Sequence, residues 1–219
     1  MSGVKAGLAG AFLTIDLDAV VTNWRLLCAK AGGAACAAVV KADAYGLGAA
    51  EIAPALRDAG CRDFFVALPE EGLDVQAAVG KGPRIFVLNG TPTGAEADFI
   101  AGSLIPVVNT LGELAGWRAH AAHIGRAVPV ALQLDTGMTR LGLSAGDTAA
   151  IAANASLLDG IKVELVVSHL ACADEPEHPA NAAQLAAFRS MRRDLPAAPA
   201  SLANSPGIFL GADYHFDLA

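Results

Sequence analysis

The amino-acid sequence predicts an α/β fold, a (β/α)8 barrel of the TIM type that is incomplete, with about seven of its eight strands present. Short apolar runs alternate with amphipathic helical patterns along most of the 219 residues. The runs are apolar on both faces, which is typical of strands buried in a parallel sheet. Repeated strand–helix units place such strands side by side through right-handed crossovers. The first strand is not followed by the Gly-rich turn of a doubly wound dinucleotide-binding sheet, and this favours the barrel.

Seven segments are predicted as strands: residues 36–40, 64–68, 84–88, 105–108, 128–134, 163–168 and 200–203. Residues 216–218 would begin an eighth. A closed barrel needs eight strands and usually about 250 residues. We therefore expect one domain over residues 1–219, truncated near the eighth strand, as the N-terminal part of a longer protein. Its two sheet edges would be left to pair elsewhere.

Helices between these strands are predicted from apolar residues three or four positions apart, which form one apolar stripe on a helix. The clearest stripes contain Val20, Trp24, Leu27 and Ala31, then Ile52, Ala55, Leu56 and Ala59, then Leu185, Phe188, Met191 and Leu195. Each stripe would pack on the sheet. No linker rich in serine or proline divides the chain.

Composition excludes several functions. The net charge is −7 and the sequence pI is about 5.1, so a basic nucleic-acid surface is not expected. No uninterrupted apolar run approaches the roughly 20 residues of a membrane span, and residues 1–12 lack the apolar region of a secretory signal. The four cysteines are scattered without paired spacing, which indicates reduced thiols in a cytoplasmic protein. No metal site is expected. The histidine pair at positions 120 and 123 could bind a metal, but no carboxylate or cysteine completes such a site.

Lys41 ends the first predicted strand, in the segment "AACAAVVKADAYGLG" at 34–48. In a (β/α)8 barrel, side chains at the carboxyl ends of strands face the active site. A partly desolvated lysine there can act as an amine nucleophile. A lysine that extends into solvent from a strand end is the structural alternative.

Four segments resemble alanine racemases, pyridoxal-phosphate (PLP) enzymes of fold type III. They are "VVKADAYGLG" at 39–48, "LQLDTGMTRLGL" at 132–143, "VSHLACADE" at 167–175 and "SLANSPG" at 201–207, and the closing "HFDLA" resembles the entry to the family's next strand. The segments occur in the family's order, and the resemblance covers residues 12–219. It implies that the C-terminal β-domain of the family is absent from this chain.

The resemblance implies a role for each matching residue. Lys41 would hold PLP as a Schiff base and then move protons at the α-carbon of the D-enantiomer. Tyr45 would contact the cofactor phosphate. Arg140 would bind the substrate carboxylate and the phenolic oxygen of the cofactor. His169 would lie beside the pyridine ring, bonded to the arginine that keeps the ring nitrogen unprotonated.

The segment around Asn204 and Ser205 is predicted to bind the phosphate. "NSPG" at 204–207 has the pattern of a strand end, an N-cap serine, a proline at the first helical position and a short helix. Helix N-termini bind phosphate through free amides. The resemblance assigns Ser205 to this phosphate, whereas the pattern alone fits a plain helix cap equally well.

Two positions depart from the family's pattern. Gln133 stands where a lysine, sometimes carbamylated, often supports the arginine, so a neutral amide would position Arg140. Ser201 replaces a frequent histidine beside His169. The ring-nitrogen arginine and the tyrosine that serves as the opposite base would come after Ala219.

The predicted function is therefore PLP-dependent interconversion of L-alanine and D-alanine, which supplies peptidoglycan synthesis, by a cytoplasmic isomerase that is a homodimer when intact. The chain itself is expected to be weakly active or inactive, because racemisation needs a base on each face of the α-carbon. The alternatives are a non-catalytic PLP-binding barrel of cofactor homeostasis and a fold-type III amino-acid decarboxylase.

Overall fold

The computed structural model describes residues 10–219 as seven parallel strands in one sheet, ordered as in the sequence. The strands are β1 Ala38–Val39, β2 Asp63–Val66, β3 Arg84–Val87, β4 Leu104–Val108, β5 Val128–Gln133, β6 Ile161–Val167 and β7 Ala200–Ser201. Each predicted strand overlaps one of these, so the predicted fold class is confirmed. The prediction about a secretory signal concerns residues 1–12 and falls almost wholly outside the described residues.

The sheet curls until its first and last strands meet the same residue. Leu218 forms parallel bridges both to Ala35, just before β1, and to Ser201 in β7. The Ala35 amide donates to the Asp217 oxygen at 3.0 Å, and the Ala219 amide donates to the Ala35 oxygen at 2.9 Å. Residues 217–219 thus join the two edge strands at the base of the ring, whereas the sequence predicted two edges left to pair elsewhere.

Helices connect the strands and cover the outside of the ring. They are α1 Leu17–Lys30, α2 Lys41–Gly46, α3 Ala49–Ala59, α4 Pro69–Val79, α5 Glu96–Ala101, α6 Leu111–Ile124, α7 Ala145–Ala153 and α8 Pro179–Arg193. Short 3-10 helices occupy Ala155–Leu158, Gly207–Leu210 and Ala212–Tyr214. Side-chain caps fix several helix starts: Asp16, Thr110 and Ser144 each accept from a backbone amide three residues later. Among residues 10–219, no helix has both the length and the apolar character needed to cross a bilayer.

The apolar core has two main parts. The larger lies between the sheet and the helices and contains Phe64, Trp117 and Phe188. The smaller fills the inside of the ring, where Phe65 and Phe86 stack with their ring centroids 4.8 Å apart. The ring is therefore a packed core rather than a channel, and it offers a binding surface only at its ends.

All four cysteines are free thiols. Burial is the main cause that raises the pKa of Cys36 to about 12 and that of Cys61 to about 11. A thiol with so high a pKa carries little thiolate at neutral pH, so these two side chains behave as small apolar core residues.

Candidate active site

Lys41 lies directly after β1, at the carboxyl end of the strand. Along this segment Ala38 and Val40 pack outward toward the helices, whereas Ala37 packs on the cluster inside the ring. Val39 is 45% exposed, because it faces the open mouth above that cluster. Lys41 itself is half-buried. The predicted placement of the lysine at the mouth of the barrel is thus what the structure shows.

The chain after Lys41 forms a left-handed helical turn. Residues 42–45 have φ of 52°, 53°, 52° and 58°, with ψ between 35° and 50°. For L-residues this conformation costs roughly 1–2 kcal/mol per residue, and none of the four is a glycine. Sequence analysis did not predict the turn. Runs of left-handed residues must be held by surrounding contacts, so the peptide beside the lysine is under tertiary control.

His169 and Arg140 approach the same mouth from different strands. His169 follows β6, and Arg140 lies in the loop between β5 and α7. Burial is the main cause that lowers the pKa of His169, and the positive charges of Arg140 and Lys41 lower it further. The structure therefore brings together three of the six predicted site residues, and the surroundings of the histidine lower its pKa and favour its neutral form.

The loop that carries Arg140 is held at both ends. The Leu143 amide donates to the Gln133 oxygen at 2.7 Å, and the Asp135 amide donates to the Leu143 oxygen at 2.9 Å. Asp135 Oδ1 also accepts from the Gly137 and Thr139 amides at 3.0 and 2.9 Å. Arg140 is exposed at the tip of this closed loop.

Gln133 supports this loop without a hydrogen bond to Arg140 among the described residues. It is 8% exposed, and its Nε2 donates to the backbone oxygen of Leu141 at 3.3 Å. The neutral amide thus contacts the residue next to the arginine. Gln133 can therefore position Arg140 only indirectly, through the backbone of the loop.

The segment at Asn204 and Ser205 differs from its predicted local structure. Asn204, not Ser205, caps the turn: its Oδ1 accepts from the Gly207 amide at 2.9 Å, and its backbone oxygen accepts from the Ile208 amide at 3.0 Å. The helix that follows is a 3-10 helix of four residues. The asparagine side chain, which is longer than that of serine, reaches the amide three residues on. The exposed Ser205 hydroxyl has no intrachain hydrogen bond in the part of the chain described.

Tyr45 ends the left-handed turn and is 64% exposed. Over residues 10–219, its hydroxyl has no hydrogen-bond partner within the chain. Tyr45, like Ser205, therefore presents a free hydroxyl donor to solvent.

The donor set at the mouth suits an anionic ligand with a reactive carbonyl. Within the described part of the chain, neither Lys41 nor Arg140 forms an ion pair; the ion pairs present there involve Arg57, Arg84, Lys162 and Arg189. An amine and a guanidinium without acidic partners complement phosphate and carboxylate groups. The exposed face of Val39 adds an apolar surface beside them. These residues fit a phosphorylated aromatic aldehyde such as PLP.

A curled seven-stranded sheet with a lysine, an arginine and a histidine at one mouth defines an incomplete α/β barrel domain with a candidate anion site. The chain belongs to the alanine racemase N-terminal domain family, whose model matches residues 15–219.

Curated relatives agree with this assignment. The chain is 54% identical over 216 residues to the catabolic alanine racemase of Mesorhizobium japonicum. This match covers 99% of this chain and 57% of the relative. It is 50% identical over 212 residues to the alanine racemase of Rhodospirillum rubrum, with 96% and 57% covered. The chain thus spans a little over half the length of these relatives.

Solved structures show the same fold. The alanine racemase of Bartonella henselae, with covalently bound pyridoxal phosphate, superimposes with a TM-score of 0.90 at 41% identity, over 93% of this chain and 59% of that one. The enzyme of Streptomyces lavendulae superimposes with a TM-score of 0.86 at 38% identity, over 94% and 56%. These relatives and structures are all racemases, and none supports the decarboxylase or the cofactor-homeostasis alternative.

Proposed function

We propose that this chain supplies the PLP-binding part of an alanine racemase active site, which interconverts L-alanine and D-alanine. The observation that carries the proposal is the convergence of Lys41, Arg140 and His169 at the mouth, where both cations lower the pKa of the histidine. The likeness to a racemase with covalently bound PLP supports the same ligand here.

Lys41 would hold the cofactor. Its side-chain nitrogen would bond to the aldehyde carbon, and one water would leave. When bound, PLP withdraws electrons from the substrate α-carbon and makes its proton acidic. The Lys41 amine, when free, would accept or return a proton at that carbon.

Arg140 would orient the substrate, because its guanidinium can bind the carboxylate through two parallel hydrogen bonds. His169, whose pKa is lowered by burial and by the two cations, would add little positive charge to this mouth. Tyr45, Ser205 and Asn204 would surround the phosphate, the first two through their free hydroxyls. Asn204 would contribute by shaping the turn, since its side-chain oxygen is already bonded to the Gly207 amide.

Racemisation needs a proton donor on the face of the α-carbon opposite Lys41. In our proposal this base comes from outside the 219 residues, in a homodimer of the whole protein, and the protein is cytoplasmic. The free cysteines are in keeping with a reducing compartment. We expect the 219-residue chain to bind PLP and to turn over alanine slowly or not at all.

Titration of the purified chain with PLP tests the proposal. We expect absorbance at about 420 nm, which is general to lysine-bound PLP, and a borohydride-reduced peptide whose mass places the cofactor on Lys41. Lys41→Ala removes both signals. Lys81→Ala, at an exposed lysine between α4 and β3, retains them. Binding that survives Lys41→Ala would overturn the assignment.

The rate at which the chain converts L-alanine to D-alanine, measured by chiral chromatography, tests the expectation of slow or absent turnover. We expect a rate far below that of a full-length relative. A comparable rate would show that both bases lie within this chain.

A further inference from the structure

Glu71, near the start of α4, joins the ends of two strands beside the lysine. Its Oε1 accepts from the Ala42 amide at 2.8 Å. Its Oε2 accepts from the Ala67 amide at 2.7 Å and from the Leu68 amide at 3.1 Å. One half-buried carboxylate therefore binds three backbone amides, one directly after Lys41 and two directly after β2.

The Ala42 amide is the near end of the left-handed turn. The far end is closed within the segment itself, where Asp43 Oδ1 accepts from the Ala49 amide at 2.7 Å and the Asp43 oxygen accepts from the Gly48 amide at 2.9 Å. At the near end, the Ala44 amide donates to the Val40 oxygen at 2.9 Å. Glu71 supplies the only side-chain bond to this end among the described residues.

We infer that Glu71 is a positioning residue for Lys41: its carboxylate fixes the peptide that follows the lysine and so orients the amine toward the mouth. This inference rests on the proposed function, because the orientation matters only if Lys41 binds PLP. A carboxylate suits this role, since one oxygen accepts from the amide after Lys41 and the other accepts from the two amides after β2. An amide offers one acceptor and one donor, so glutamine must turn an N–H toward one of the amides.

Glu113 offers a matched control. It has the equivalent place after β4, where its Oε2 accepts from the Asn109 amide at 2.7 Å. It forms no hydrogen bond to residues 41–46 in the described structure. Burial raises the pKa of Glu113, and this effect outweighs the amide bonds that lower it. Burial thus disfavours the charged form there, and we expect Glu113→Gln to leave the fold intact.

The first measurement uses the protein without cofactor. Amide hydrogen exchange, read by NMR at Ala42, should be about tenfold faster in Glu71→Gln than in the wild type, because the amide loses its charged acceptor. Exchange at Ala42 should be within about twofold of wild type in Glu113→Gln.

The second measurement is PLP affinity, from the titration described above. We expect Glu71→Gln to weaken binding by about tenfold, whereas Glu113→Gln stays within about twofold of wild type. If Glu71→Gln lacks the wild-type circular dichroism, Glu71→Asp replaces it. Its shorter side chain keeps the charge but cannot span both sites, and the same weakening is expected.

The outcomes are distinguishable. Wild-type protein that forms no bond with PLP would overturn the proposed function. Wild-type protein that binds PLP, together with folded Glu71 variants of unchanged affinity and unchanged Ala42 exchange, would overturn the positioning role alone. Equal weakening by Glu71→Gln and Glu113→Gln would indicate a general stabilising role and would also overturn it.

Discussion

Gln184 of α8 donates from its Nε2 to the backbone oxygen of His169 at 2.9 Å, and its Oε1 accepts from the Ala171 amide at 2.8 Å. The same Nε2 lies 3.2 Å from Thr136 Oγ1, which in turn is bonded to Ser168 Oγ at 2.8 Å. The Gln184 side chain is buried. One amide thus ties the histidine segment after β6 to the loop that carries Arg140.

Replacement of Gln184 by leucine should therefore destabilise the protein strongly. The change keeps the volume but leaves buried polar groups without partners, at about 1–3 kcal/mol for each group. We expect the free energy of unfolding, measured by urea denaturation, to fall by about 2–4 kcal/mol. Gln76→Leu removes a hydrogen bond from the more accessible glutamine of α4 to the Gly80 oxygen. Gln76→Leu should lower the free energy of unfolding by less than about 1 kcal/mol. An equal loss in the two variants would contradict a stabilising role of the buried hydrogen bonds of Gln184.

The lowered pKa of His169 should make stability depend on pH. The unfolded chain binds a proton near the ordinary histidine value of about 6.5, whereas the folded protein binds it only at lower pH. The stability that the neutral histidine contributes is present above the unfolded value and is lost as pH falls through the folded one. Urea denaturation between about pH 5 and pH 8 should show a smaller loss on acidification for His169→Gln than for wild type. Parallel curves would contradict the pKa assignment.

Arg140 should control the titration of His169 directly. After burial, its positive charge is the next largest cause of the lowered pKa. Arg140→Gln should raise the pKa of His169, as followed by NMR of the imidazole protons during a pH titration. Arg126→Gln removes an exposed arginine just before β5, at the opposite end of that strand, and should leave the titration unchanged. No shift in Arg140→Gln would show that the guanidinium does not approach the histidine.

Substitution of Gly142 by any residue with a side chain should destabilise the protein. Its φ is 118°, and a Cβ there would lie 2.7 Å from the Asp135 amide nitrogen and 2.9 Å from the Leu134 carbonyl carbon. Because both contacts are backbone atoms, Gly142→Ala must open the loop that carries Arg140. We expect a loss of about 2–4 kcal/mol in urea denaturation and a weaker effect of Arg140 on His169.

Gly146, in the first turn of α7, is the matched control. The atom nearest to its added Cβ is Ser144 Oγ at 3.6 Å. Gly146→Ala should be neutral or stabilising by up to about 1 kcal/mol. A similar loss in both alanine variants would indicate that the close approach at Gly142 is not the cause.

The sequence by itself determined the elements of this fold. All seven strands were predicted within a few residues, because an apolar run between helical patterns is a local property of the chain. Lys41 could be placed at a strand end for the same reason. The four motif segments then pointed to the family, which the match over residues 15–219 confirms.

Only the tertiary structure decided how these pieces meet. The left-handed turn after Lys41 has no glycine among residues 42–45 to signal it, and its first amide, that of Ala42, donates to Glu71, 29 positions away. Leu218 closes the base of the ring by forming bridges to both Ala35 and Ser201. The lowered pKa of His169 depends first on its burial, and then on the positive charges of Arg140, in the loop after β5, and of Lys41, after β1. Hydrophobic periodicity specifies elements one at a time, whereas these contacts depend on the curl of the sheet, which brings residues that are distant in the sequence together.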